Sequence, residues 1–145
     1  MSALLDPENP VHAKALRMLE QDLIAWIVTT TAEGEPRAVP VWFLWHEGRV
    51  AILTKPDAAK VAHVRRGSTV VVHLQAGGQF GDDVVILRGP ARISEESTAG
   101  WMAGVRERYE SKYAEALVAY GSPLDDVAAT FSTLIEVEPE HVSAW

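Results

Sequence analysis

PRAVPVWFLWHEGRVAILTKPDAAKVAHVRR, residues 36 to 66, is the stretch that decides the fold. Pro36 to Trp45 is rich in β-branched and aromatic side chains and reads as a strand. His46 to Arg49 is a hairpin turn, and Val50 to Thr54 is the next strand. Both strands are apolar on both faces, the pattern of strands covered on two sides. One cover is a barrel interior. The other must be flat and apolar, such as a partner subunit or a ring-shaped cofactor. Pro56 and Asp57 then open a short helix that ends at Gly67, with Lys60 in its first turn. Free N–H groups and a lysine at a helix start suit a phosphate. The stretch therefore predicts a ligand that is planar at one end and anionic at the other.

Working outward, Asn9-Pro10 is a helix start. Val11, Ala15, Leu16, Leu19 and Leu23 follow at helical spacing, which predicts a helix over residues 10 to 22. LIAWIVTTT reads as a strand and AEGEP as a turn. Beyond Gly67, STVVVHLQ is a fourth strand, AGGQFGDD a glycine-rich loop, and VVILRGPARIS a fifth strand. Gly89-Pro90 marks a bulge or an edge within the fifth strand. A helical excursion over about 95–131 comes next. Ser94 is its N-cap, and Trp101, Val105, Tyr109, Tyr113, Leu117 and Tyr120 form its apolar face up to Gly121. Pro123 opens a further short helix, and TLIEVEPEHVSAW closes the chain as one or two strands. This order predicts one α+β domain over 1–145, built on a small antiparallel barrel. A doubly wound parallel sheet would need a helix after nearly every strand.

Composition narrows the function. The chain has 145 residues, 48% of them apolar, enough for a core of its own. A net charge of −7 argues against general nucleic-acid binding. The absence of cysteine excludes disulfides, thiolate metal sites and a cysteine nucleophile. No apolar run approaches the ~20 residues of a membrane helix. MSALLDPENPVHAK has no basic segment leading into an apolar one, so no secretion signal is read there and a cytoplasmic location is expected. His12, His46, His63, His73 and His141 show no metal-ligand spacing, so no metal is expected. His73, inside VVVHLQ, reads as a core or interface residue. No GxSxG elbow offers a hydrolase nucleophile.

Cations at a helix start oppose its dipole, so local stability does not explain Lys55 and Lys60; the residues alone fit a bound phosphate and ordinary solvated lysines equally. Arg65 and Arg66 fall in the last turn, where the dipole alone favours them. AGGQFGDD lacks GxGxxG spacing and precedes a strand, so it is not a dinucleotide fingerprint. As a hairpin loop it needs no function; alternatively its glycines allow close backbone approach to a ligand, with Gln75 beside them as a polar contact. Lys55, Lys60, Arg65, Arg66 and Arg88 are the cations from which a basic patch could form in this acidic chain.

PRAVPVWFLW, VAILTKPDAAKVAHVRRGSTVVVHLQ, GDDVVILRGPARI and the closing IEVEPEHVSAW, in this order, resemble the pyridoxamine 5'-phosphate oxidase-like split β-barrel superfamily. Within it, the chain resembles the F420-dependent oxidoreductase branch. The resemblance covers roughly residues 20 to 95 and the C-terminal strand. It implies a homodimer with the cofactor in a groove between barrels. The backbone at Val39, Pro40 and Val41, with Trp42, would flank the ring system. Leu53 and Thr54 would line the path to the phosphate. Lys60 would bind that phosphate, with Lys55 nearby. Gln75, Gly81 and Asp82 would approach from the partner subunit. The implied activity is hydride transfer between coenzyme F420 and a small organic substrate. The alternatives are an FMN-dependent oxidase or reductase and a flavin-binding protein without turnover. The cofactor carries the hydride chemistry, so no catalytic dyad is required of the chain. The additional Arg and His residues with which true pyridoxamine phosphate oxidases hold the substrate phosphate are not placed in this sequence, so that specific activity is not expected.

Overall fold

A computed structural model describes residues 4–145, leaving residues 1–3 of the stretch read for a secretion signal outside the description. Helix α1 (Pro10–Gln21) starts where Asn9 accepts hydrogen bonds from the Val11 and His12 N–H groups. Nine strands follow: β1 (Ala25–Thr30), β2 (Pro36–Val41), β3 (Phe43–His46), β4 (Arg49–Thr54), β5 (Val70–Leu74), β6 (Val85–Gly89), β7 (Ala91–Ile93), β8 (Thr133–Val137) and β9 (His141–Ala144). Helix α2 (Ala59–Arg65) separates β4 from β5. Helices α3 (Thr98–Met102), α4 (Arg106–Lys112), α5 (Ala114–Tyr120) and α6 (Leu124–Thr130) lie between β7 and β8.

The strands form two antiparallel sheets, ordered β2-β1-β5-β6-β9 and β3-β4-β8-β7. Two of the strands expected from sequence, and the closing segment read as one or two strands, are divided between the sheets. Pro36 to Trp45 is not one strand: it leaves the first sheet after Val41 and enters the second at Phe43. The segment after the glycine-rich loop crosses at Pro90, and the last one crosses at residues 138–140. Proline cannot donate to a ladder, which ends β6 and starts β7 on the other sheet. At this corner the Glu138 N–H donates to the Pro90 carbonyl at 2.9 Å, and the Glu140 N–H to the Arg88 carbonyl at 2.9 Å. The hairpin at Glu47-Gly48 puts both residues at positive φ, 52° and 74°, which matches the twist of β3 and β4.

Two cores result. Ile27, Phe43, Val50, Ile52, Val72, Leu87 and Ile135 fill the larger, with Leu19 of α1 and Val61 of α2. Leu44, Ala51, Leu53 and Leu134 face the other way, against Met102, Val105, Tyr109, Tyr113, Leu124 and Val127. Strand β4 is therefore apolar on both faces because its own chain covers both. The sequence expectation assigned the second cover to a cofactor or partner, and the helical excursion supplies it instead. Strand β2 differs: Pro36 to Pro40 are exposed on an edge strand, and only Val41 is buried.

The helices also depart in detail from the expectation. Helix α2 begins at Ala59 rather than Asp57. Its end is a Schellman turn: the Ser68 N–H reaches the His63 carbonyl at 3.0 Å, the Gly67 N–H reaches Val64 at 2.9 Å, and Gly67 has φ 94°. Ser97, not Ser94, caps the excursion. The apolar periodicity from Trp101 to Tyr120 is spread over three short helices, broken before Arg106 and at Tyr113.

Candidate functional site

A cleft of about 440 Å³ opens where β2 hands over to β3. Pro40, Val41 and Trp42 form one side, and Leu53, Thr54 and Lys55 at the end of β4 form another. Ala58 and Lys60 border it at the start of α2. The helical excursion closes it with Tyr109, Tyr120, Val127 and Phe131.

The position of Trp42 follows from the crossover. Its ring stacks on Tyr113 at 4.6 Å between centroids and 10° between planes, and meets Tyr120 edge-on at 6.1 Å. Helix α4 is fastened to the crossover beside it. The Phe43 N–H donates to the Tyr113 hydroxyl at 2.8 Å. That hydroxyl donates to the Leu23 carbonyl at 2.6 Å, with the Phe43 carbonyl at 3.0 Å. Lys112 donates to the Phe43 carbonyl at 2.8 Å and sits 3.6 Å from the centre of the Phe43 ring. Burial pushes the Lys112 ammonium down to about 8, against the opposing pull of Glu20 and Asp22. Arg108 adds a bond to the Trp45 carbonyl at 2.9 Å.

The cleft is apolar and aromatic except near its lysines. Burial holds the Lys60 ammonium below its usual range. Among the described residues no ion pair includes Lys60. No side chain caps the start of α2 beside it. Lys55 is exposed and lies 5.7 Å from the centre of the Phe131 ring. An uncompensated, half-buried ammonium at the rim of an apolar cleft is suited to an anion.

Of the residues singled out from sequence, Pro40, Val41, Trp42, Leu53, Thr54, Lys55 and Lys60 line this one cleft. Val39 is 39% exposed on the open edge strand outside it. Gln75, Gly81 and Asp82 do not line it. Gln75 is exposed just past β5, and Gly81 and Asp82 belong to a loop closed by the Gly77–Asp83 bridge and tied to α1 through the Lys14–Asp83 ion pair at 2.8 Å. Arg65, Arg66 and Arg88 are also absent from the lining. Arg66 donates instead to the Thr30 carbonyl at 2.7 Å, and Arg88 lines a separate depression with His141. His73 stacks on Trp26 at 6.4 Å and 6°. Sequence reasoning missed Ile24, Ala58, Tyr109, Tyr120, Val127 and Phe131 as lining residues. The aromatic periodicity of the excursion marked a packed face, and nothing in it separated tyrosines of the core from tyrosines of a cleft. Among the described residues there is no cluster of His, Cys, Asp or Glu suited to a metal, and no helix is long and apolar enough to cross a membrane.

A family model described as pyridoxamine 5'-phosphate oxidase matches residues 11–145. The chain belongs to the pyridoxamine 5'-phosphate oxidase family. No curated protein matches it. Solved structures of similar fold include an F420 reductase, 19% identical over 88% of this chain and 94% of that one, with a TM-score of 0.64. A conserved hypothetical protein of Mycobacterium tuberculosis is 20% identical over 100% of this chain and 88% of that one, with a TM-score of 0.70. The FAD binding protein of Mycobacterium smegmatis is 19% identical over 90% of this chain and 89% of that one, with a TM-score of 0.56. At these identities the likeness is one of fold. The two-sheet architecture and the cleft at the β2–β3 crossover are thus features of a chain in the pyridoxamine 5'-phosphate oxidase family.

Proposed function

We propose that this chain is an oxidoreductase that uses coenzyme F420, with its two sheets forming the split barrel of the family. The observation that carries the reading is the single cleft that joins an apolar, aromatic wall at Trp42 to the half-buried cation Lys60. A ring system against Pro40, Val41 and Trp42 and a phosphate at Lys60, with Lys55 nearby, would use both ends. The bound cofactor would supply hydride transfer to or from a small organic substrate. The chain's own part is to hold the ring on a rigid wall, exclude water from one of its faces and neutralise the phosphate. FMN is the alternative cofactor, the flavin that membership of the pyridoxamine 5'-phosphate oxidase family supports.

The exposed edge strand β2 supports a homodimer, because a second subunit would cover Val39 and its neighbours. In that arrangement Gln75, Gly81 and Asp82 of the partner would complete the groove, consistent with their place away from the cleft in a single chain. Light scattering at micromolar concentration is expected to give twice the 15.9 kDa of the chain, and a monomer mass would remove the intersubunit groove. A cytoplasmic enzyme without metal accords with the reading.

The direct test is a paired titration of the protein with FMN and with F420, followed by tryptophan fluorescence. Trp42 stands in the cleft and is expected to be quenched by either ring. Micromolar binding of F420 with weak binding of FMN supports the proposal, and the reverse makes this an FMN protein. Binding of neither removes the cofactor reading.

A further inference from the structure

Two tyrosines stand four residues apart along α4 and its end, and neither has any exposed surface. Their rings are 4.9 Å apart. The Tyr113 hydroxyl is occupied by the Phe43 N–H and by two carbonyls. The Tyr109 hydroxyl has no partner, and among the described residues it is the one buried side-chain polar atom in that position. A buried hydroxyl without a partner is unfavourable, because it gives up its bonds to water for none in return, and such groups are rare in folded proteins. Phenylalanine at this position would fill nearly the same space without that cost. Tyr109 also lines the cleft, whose other side-chain donors are Trp42, Tyr120 and, at the β4–α2 end, Thr54, Lys55 and Lys60.

We infer that the Tyr109 hydroxyl is a specificity-determining donor, which hydrogen-bonds a carbonyl oxygen on a flat conjugated ring seated in the cleft. The preference for a flat conjugated ring follows from the apolar and aromatic lining, Pro40, Val41, Trp42, Tyr120 and Phe131. The acceptor follows from the chemistry of the group. Burial drives the phenol above its usual pKa, so it keeps its proton and donates at any ordinary pH. The hydroxyl is shut off from solvent, so a ligand reaches it by displacing a neighbouring wall. Tyr120, 54% exposed and touching Trp42 by its edge, is the wall placed to yield. The inference rests on the cofactor reading in one respect, that the ring of a flavin or deazaflavin is one carrier of such a carbonyl; a second small ligand is the other.

The test compares Tyr109→Phe with the unaltered protein, with Tyr113→Phe as the contrast. Binding is measured by tryptophan quenching with FMN, with F420, and with the matched pair 1-indanone and indane, which differ only in the carbonyl. Tyr109→Phe is expected to leave the apo Tm unchanged or raised. It is also expected to reduce the preference for indanone over indane threefold or more, and to weaken FMN or F420 to the same degree if their ring carbonyl is the acceptor. Loss for indanone with FMN and F420 unaffected assigns the donor to the second ligand and still supports the inference. Tyr113→Phe strands the Phe43 N–H and is expected to lower the apo Tm. A lowered Tm for Tyr109→Phe, or an unchanged preference for indanone, overturns the inference. Failure of the unaltered protein to bind FMN or F420 removes the cofactor reading alone, and the indanone–indane comparison still decides the role of Tyr109.

Discussion

Gly89→Ala is expected to destabilise the protein by about 3 kcal/mol or more, toward the upper end of what overpacking produces. A methyl group built at Gly89 would overlap the Glu138 carbonyl oxygen and stand 3.0 Å from the Glu140 nitrogen. These are backbone atoms, so no side chain can rotate away. The pinch is set from both sides. Arg88 and Pro90 accept the Glu140 and Glu138 N–H groups, and Gly89 lies between them. Relief requires parting the β6–β7 corner from the β8–β9 crossover, which breaks those bonds and shifts two strands in each sheet. A midpoint shift of roughly 10 °C follows for a chain of this size. Thermal unfolding followed by circular dichroism checks it. A Tm within about 2 °C of the unaltered protein would mean that this corner is loose and that the close approach does not hold the sheets together.

That corner also shows how far sequence could be read. Gly89-Pro90 was legible as an interruption, because proline cannot donate to a ladder. The change of sheet it produces was not, since it depends on which backbone lies across from Gly89, some fifty residues later in the chain. The same limit applies at Trp42: the run from Pro36 to Trp45 has uniform strand character, and the transfer between sheets leaves no local signal. The double-sided burial of β4 was legible from its unbroken apolar run. The identity of its second cover was not, because a helical layer and a ligand demand the same residues from a strand. At the site, Pro40 to Trp42, Leu53 to Lys55 and Lys60 were singled out by the family resemblance, with the lysines also read from the start of α2, and they line one cleft. Tyr109 was not, because its periodicity equals that of Tyr113. Only the hydrogen bonds, three contacts for one hydroxyl and none for the other, tell them apart.

Lys60→Ala is expected to weaken binding of FMN or F420 by about 10- to 100-fold, the worth of a charged hydrogen bond of about 1.5–3 kcal/mol. The apo Tm is expected not to fall. Lys60 makes no ion pair among the described residues, and burial already disfavours its charged form, so its loss takes nothing from the folded chain. The sign of the pH dependence follows from the same observation. Because burial lowers the Lys60 pKa in the free protein, Lys60 loses its charge at a lower pH than an ordinary lysine does, and phosphate binding must then take up a proton. A phosphate monoester is already a dianion above its second pKa near 6, so the ligand contributes little to the change. Affinity of the unaltered protein should therefore decline at a lower pH than a solvent-exposed lysine would give, and that of Lys60→Ala should stay flat. Lys60→Arg keeps its charge throughout and should remove the decline while retaining part of the affinity, since a planar fork does not reproduce the point contact of an ammonium. Equal affinities for the alanine variant and the unaltered protein would place the phosphate elsewhere, with Lys55 the next cation on the cleft rim. A lost affinity accompanied by a lowered apo Tm would instead make Lys60 part of the fold, and the rim of the cleft would no longer be explained by an anion.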